Sequence, residues 1–264
     1  MDIGRKCYIK VGGFMKLDHL IINISDEYQL DNRTIDEIRE NGFPYEPKWG
    51  KGTKGFRASN LWIGNEYFEM IRLLKQDGGG WREEWVNHYN QGHRGLICLM
   101  LDVEDIDLEY QRILNKGIDI TEPKYLQFKW FFNLLTRTMP WRNSYINFFK
   151  GIPMQIGFQQ MKDKKSLDFM REYMVPNSRD NGIEGINKVI IKGEFLEEDY
   201  ELIEQIFEEG EKDNDSIIVN LSNNQQLIFQ KSSFYSVEVF TYGNNENYHN
   251  GKIKIENVHV LNCK

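Results

Sequence analysis

Alanine is nearly missing from this chain of 264 residues: Ala58 stands alone among abundant Ile, Asn, Lys and Glu. We take that bias as a trait of the coding sequence, as in an AT-rich bacterial genome, with no bearing on mechanism. Cysteine is almost as scarce. Cys7, Cys98 and Cys263 are scattered and form no CxxC pair, which excludes a disulfide framework or a zinc knuckle and fits reduced thiols in a cytoplasmic protein. Long apolar runs are lacking, so no membrane-spanning helix is expected. The start has no apolar signal core and no small-residue cleavage site. Positive charge is also short: the net charge is -7, and no Lys/Arg stripe interleaves with aromatics, which argues against a nucleic-acid partner. No Ser-His-Asp or Cys-His nucleophile pattern is visible among the five histidines, His19, His88, His93, His249 and His259. GKGTKG at 50–55 fails the phosphate-loop pattern, because Phe56 follows Gly55.

What the chain does contain is a repeat. Lys16–Ile24 (KLDHLIINI) is rich in Ile and Leu and reads as a strand. Tyr28–Asn41 carries Leu30, Ile35 and Ile38 at helical spacing and stops at Gly42. After a Pro- and Gly-rich stretch, FRASNLWIGNEYFEMIRL gives two strands joined at Gly64-Asn65, a hairpin signal. The unit recurs from GLICLMLDVEDIDLEYQRILNKGIDI, with further strands over 126–137 and 153–161. A third copy begins at IEGINKVIIKG and runs through an acidic amphipathic helix over 197–209, strands over 216–221, 225–231 and 235–242, and a last strand over 252–261. The expected division is an N-terminal extension over 1–14, a domain of two βαβββ units over 15–162 (16–75 and 95–161), a connector over 163–182 with a short helix near 166–174, and a third unit over 183–264. Val-Gly-Gly just upstream of Met15 also reads as a ribosome-binding sequence, so translation starting at Met15 is an alternative account of residues 1–14.

A histidine opening the first strand of a tandem βαβββ unit, with YFEMI closing it, resembles the vicinal oxygen chelate superfamily. That superfamily includes glyoxalase I, the extradiol dioxygenases and the bleomycin-resistance proteins. The segments that carry the resemblance are LDHLIINI, WGKGT with SNLWIGNEYFEMI, GLICLMLDVEDID, LQFKWFFNLLT and IPMQIGF, in family order across residues 16–161. The resemblance implies an α+β fold in which paired βαβββ units form a curved, cup-shaped mixed sheet, with the third βαβββ-like unit appended at the C-terminus.

In metal-binding members of the superfamily each unit offers two ligand slots, one at the start of the first strand and one on the last. His19 and Glu69 fill the first unit's slots, and alternation puts Tyr67, Glu69 and Ile71 on one face. The resemblance thereby implies a catalytic pair, His19 and Glu69, that also suits a divalent metal: Zn, Mn, Fe or Ni. The second unit breaks the pattern, with Gly95 and either Gln155 or Gly157 in its slots, so His93 or His88 would have to serve as replacement ligand. Asn60, Tyr67, Trp130, Trp141, Arg142 and Gln155 are the expected substrate-binding residues, Arg142 as partner for a substrate carboxylate or for Glu69. GKGTKG reads as a rim loop, and DGGGW at 77–81 as a turn or a flap over the opening.

Two functions fit. One is lyase or isomerase chemistry through an enediolate-like intermediate, assisted by a metal or by Glu69 or His19 as general base. The other is metal-free small-molecule binding or sequestration of the bleomycin-resistance type, with His19, Asn60 and Gln155 as orienting groups. The expected partner is a small molecule, and a homodimer through the third unit is compatible with this division of the chain.

Overall fold

A computed structural model describes residues 14–130, 135–208, 210–213 and 215–263. The expected N-terminal extension lies outside the described residues except for Phe14. The chain opens with strand β1 (Met15–Asn23), then helices α1 (Glu27–Leu30) and α2 (Asn32–Glu40). The one helix expected here is split because Asp31 is extended and its carboxylate accepts the Thr34 N–H, capping α2. Strands β2 (Phe56–Ile63) and β3 (Glu66–Leu73) form the hairpin. Helix α3 (Glu83–Asn90), which the sequence did not lead us to expect, leads into β4 (Gly95–Val103) and α4 (Ile106–Asn115). Then come β5 (Lys124–Trp130), β6 (Leu135–Tyr145), β7 (Gln155–Met161) and α5 (Lys164–Arg171). The C-terminal part is β8 (Ile183–Gly193), α6 (Glu197–Ile206), β9 (Glu211–Lys212), β10 (Ser216–Asn220), β11 (Gln226–Lys231), β12 (Ser236–Gly243), β13 (Lys252–Ile255) and β14 (Val258–Cys263). No helix of the described residues is long and apolar enough to cross a membrane.

The first sheet has the order β2-β3-β1-β4-β7-β6-β5. Its two units meet where β1 pairs antiparallel with β4; within each unit the first strand lies parallel to the last, β1 to β3 and β4 to β7. This is the expected curved mixed sheet of paired units. The first unit keeps only two full strands after its helices, since the stretch before β2 contributes no more than an isolated bridge from Gly52 to Arg57.

The second sheet has the order β13-β14-β12-β8-β11-β10-β9 and repeats the same logic: β8 pairs antiparallel with β12 and parallel with β11, and β12 runs parallel to β14. What reads in the sequence as one third unit is therefore a third unit paired with a short fourth. The fourth unit has no α-helix among its described residues. Its last strand, expected to be continuous, is a hairpin turned at Glu256-Asn257.

One hydrophobic core joins both sheets and the helices. Leu20, Ile22, Phe68, Met70, Leu99 and Phe158 from the first sheet share it with Ile35 and Ile38 of α2, Ile106 and Ile113 of α4, Ile203 of α6, and Val189, Ile191, Phe229 and Val239 of the second sheet. Each such side chain contributes about 1.5–3 kcal/mol on leaving water. The alternate residues of the first sheet form the inner face of the cup. One end of that face is packed by a second cluster, in which Ile21, Ile71, Cys98 and Met100 meet Trp85 of α3.

Gly95 is explained by this packing. An added Cβ would fall 2.1 Å from Asn257 Oδ1, which accepts the Leu96 N–H, and its φ of +125° is itself strained for an L side chain. The position serves contact between the sheets.

Candidate functional site

A bulge sets the site. Along the β1–β4 pair, Leu17 faces Leu101 but His19 faces Met100, so Asp18 is the extra residue. Simple alternation would send Asp18 and His19 to opposite faces. Instead both serve the inner face: His19 Nδ1 lies 2.6 Å from Asp18 Oδ2, and Gln159 of β7 donates its amide to the same oxygen at 2.9 Å. Parallel pairing of β1 with β3 then sets His19 beside Tyr67 and Ile21 beside Glu69. The His19 ring, 3% exposed, stacks on Tyr67 at 4.4 Å, and Trp62 tilts against Tyr67 at 4.4 Å. His19 Nε2 stands 3.9 Å from Glu69 Oε2, which is ion-pair range but too long for a hydrogen bond.

The electrostatics follow from depth. Glu69 is surrounded by protein yet keeps 24% of its side-chain surface accessible, as a group on the floor of a concavity does. Burial raises its carboxyl pKa; the nearby imidazole pulls it down and Asp18 pushes it further up. Tyr67 has its phenol pKa raised by burial and by the charges of Asp18 and Glu69, so it stays a donor. Asp102, nearby on β4, is pushed up to about 6 by burial and by Asp18, against the pull of Lys16 at 3.3 Å.

The expected site residues divide. Asn60 pairs across β2–β3 with Glu69, and Tyr67 lies on the same face. Gln155 pairs with Cys98 on the inner face, where its Oε1 accepts the Trp85 indole N–H at 2.8 Å, so it is already engaged. Trp141 shares a face with Asn143 and Tyr145; the Trp130 side chain is outside the described residues.

Arg142 must be corrected. Lying between Trp141 and Asn143, it takes the opposite face and forks onto Asp107 of α4 at 2.8 and 3.0 Å, so it does not reach Glu69. His93 is also corrected. It precedes β4, seven residues before the Met100 that faces His19, and the five residues of strand from Gly95 to Met100 alone span roughly 17 Å. Its Nε2 meets the Leu96 carbonyl at 3.1 Å and its ring stacks towards Tyr235, just before β12, so it does not replace a ligand; burial drives its pKa down to about 4.

Sequence reasoning missed several inner-face groups. Asp18 was hidden by the bulge. Trp85 and Arg82 come from α3 and the turn before it, Arg82 lying 4.4 Å over the Tyr145 ring. The only sequence signal was the triple glycine, Gly78–Gly80, whose tight turn folds Trp81 and Trp85 onto the sheet.

The donor set does not fit a resident divalent ion. Beyond His19 and Glu69, the facing positions on β4 and β7 are Met100, a soft thioether, Gly157, with no donor, and the engaged Gln155. Cys98 is buried, its thiol pKa driven upward, and it lies against Met100 Sδ. Among the described residues no group of three or more His, Cys, Asp or Glu side chains is arranged to hold a metal.

The sequence matches no protein-family model, and no curated protein matches it. Among solved structures, the fold is similar to that of a hypothetical protein from Staphylococcus aureus, at TM-score 0.69 and 13% identity, covering 94% of this chain and 99% of that one. A methylmalonyl-CoA epimerase from Mycobacterium tuberculosis aligns at TM-score 0.40 and 14% identity over 57% of this chain and 91% of its own. One from Streptomyces coelicolor aligns at TM-score 0.39 and 13% identity over 58% and 100%. At 13% identity the likeness to the Staphylococcus aureus protein shows fold alone. The fold is a curved mixed sheet of repeated βαβββ-like units with flanking helices.

Proposed function

We propose that the first cup binds a small molecule carrying an acidic C–H beside a carbonyl and moves a proton on it, with Glu69 as the base. The observation that carries this is the row Asp18, His19, Glu69: a carboxylate 2.6 Å from one imidazole nitrogen and a second carboxyl, its pKa raised by burial, 3.9 Å from the other. Accepting the Nδ1 proton, Asp18 fixes the tautomer that turns the Nε2 lone pair toward Glu69. Glu69 takes the proton from carbon while the electron pair moves onto the carbonyl oxygen. Through a shift of about 1 Å or one water, it hands that proton to Nε2, and Asp18 stabilises the imidazolium. In this reading Tyr67 and Asn60, on the same face as Glu69, donate to the enolate oxygen. Return of the proton gives an isomerase, and loss of a group from the adjacent carbon gives a lyase. No metal enters these steps, consistent with the two-donor set.

The resemblance to glyoxalase-like proteins supports this choice of chemistry. A second reading, binding without turnover, draws on the aromatic wall of Trp62, Tyr67 and His19. Proton NMR in D2O over a panel of 2-oxo acids, 2-hydroxy acids and thioesters separates the two. The expected result is protein-dependent deuterium uptake at the α-carbon that survives a chelator and is lost in Glu69→Gln without loss of folding. Uptake should rise with pH through a limb above the usual carboxylate range, since only ionised Glu69 is a base. Saturable binding without uptake would leave the sequestration reading, and uptake abolished by chelator would restore a metal.

A further inference from the structure

The second sheet repeats even the irregularity of the first. Along β8–β12, Lys188 faces Phe240 but Ile186 faces Thr241, so Asn187 is an extra residue, as Asp18 is in β1. Lys188 therefore takes the place that His19 holds in the first cup. On the parallel neighbour, Gln226 pairs with Lys188 as Tyr67 pairs with His19, and Ile228, opposite Ile190, stands where Glu69 stands opposite Ile21. Where the first cup has an acid–base pair, the second has a cation and an apolar side chain.

A cavity of about 560 Å³ opens at this point, the size of a small-ligand pocket. Asn187, Lys188, Asn220, Gln226 and Phe240 are among its lining residues, and none of the lining residues is acidic. Lys188 Nζ lies 4.1 Å from the centre of the Phe240 ring, and among the described residues no carboxylate lies within 4.0 Å of it. Gln226 donates to Asn220 Oδ1 at 3.1 Å, which leaves the Gln226 carbonyl and the Asn220 amide N–H groups free to turn to a ligand. Asn187 Oδ1 is buried with no hydrogen-bond partner, a deficit that a donor on a ligand would repair.

We propose that this second cup is a binding site for a small hydroxylated anion. The anionic group pairs with Lys188, hydroxyls bond the carboxamides of Asn187, Asn220 and Gln226, and an apolar C–H face lies on Phe240. With Ile228 in place of a carboxylate, the site binds and does not turn over.

The test is an NMR titration of the isotope-labelled full chain with glucose 6-phosphate, gluconate and uncharged glucose. The first two probes separate a phosphate from a carboxylate as the preferred anion. The expected result is saturable shifts at the Lys188, Gln226 and Phe240 amides, with at least one anion bound about tenfold more tightly than glucose. Lys188→Gln should erase that advantage, Phe240→Leu should weaken all binding to the cup, and Glu69→Gln should change nothing here. The proposal is overturned if neither anion produces saturable shifts, if both bind no better than glucose, if the shifts map to the first cup, or if Lys188→Gln keeps the preference.

Discussion

Asp18 and Gly157 show how single residues make the first cup. One extra residue in β1 brings an acid to the imidazole that alternation alone would have sent to the far side of the sheet. Gly157 works by having no side chain. Across β7 it faces Met100 on one neighbour and Tyr145 on the other, and a Cβ there would fall 2.4 Å from Met100 Sδ and 2.8 Å from Tyr145 Cδ1. Both neighbours are packed, Met100 fully buried and Tyr145 under Arg82, so neither yields freely. Gly157→Ala is expected to cost about 1–3 kcal/mol by overpacking, read as a lower midpoint in chemical denaturation. An unchanged midpoint would mean that the inner face is looser than its contacts imply.

At the scale of elements, α3 is the piece that shapes the cup. Trp85 is 2% exposed, meets Trp81 and the edge of Tyr145, and donates its indole N–H to Gln155. Trp85→Ala is expected to cost about 3–5 kcal/mol. Trp85→Phe keeps most of the packing but strands the Gln155 carbonyl, at about 1–3 kcal/mol. Denaturation of the two variants should rank them in that order, and equal losses would remove the hydrogen bond from the account.

This element was the least legible in the sequence, because a two-turn helix after three glycines carries little periodicity. Longer patterns were readable: the Ile-rich first strands, the amphipathic helices and the Gly64-Asn65 hairpin all fix period without help from distant contacts. Glu69 and Tyr67 could be placed on one face because β3 is regular. Asp18 could not, because a bulge leaves no local mark, and Arg142 fell outside the expected strands over 126–137 and 153–161, whereas it lies in β6 and turns to Asp107. The fourth unit was invisible for another reason: without its helix, β12 to β14 look like trailing strands of the third.

For the whole molecule, the question is how two sheets with different side chains at matching positions are held together, and Glu66 is the joint. It sits at the head of β3, 7% exposed, and reaches into the second sheet: Oε2 accepts the Ile186 N–H at 3.1 Å and Oε1 accepts the Gln225 amide at 3.0 Å. Gln225 in turn accepts the Leu17 N–H and donates to the Ile186 carbonyl, so β1, β3 and β8 are tied through two side chains. Burial outweighs these hydrogen bonds and pushes the Glu66 pKa from 4.5 up to about 7. The folded protein then holds a proton that the unfolded chain releases near pH 4.5. The resulting stabilisation is complete below that pH and is lost as pH rises through about 7, and a shift of this size corresponds to about 3 kcal/mol. Asp102, raised to about 6, acts in the same direction, so the slope of the wild type alone does not isolate Glu66. The difference between wild type and Glu66→Gln does. The variant has one amide oxygen for two donors and should be less stable at pH 5, where wild-type Glu66 is protonated. Its deficit should shrink or reverse by pH 8, because it has no proton to lose. Denaturation midpoints at the two pH values, measured on both proteins, give that double difference. Parallel pH curves would show that Glu66 stays ionised between the sheets and that the joint is a charged one.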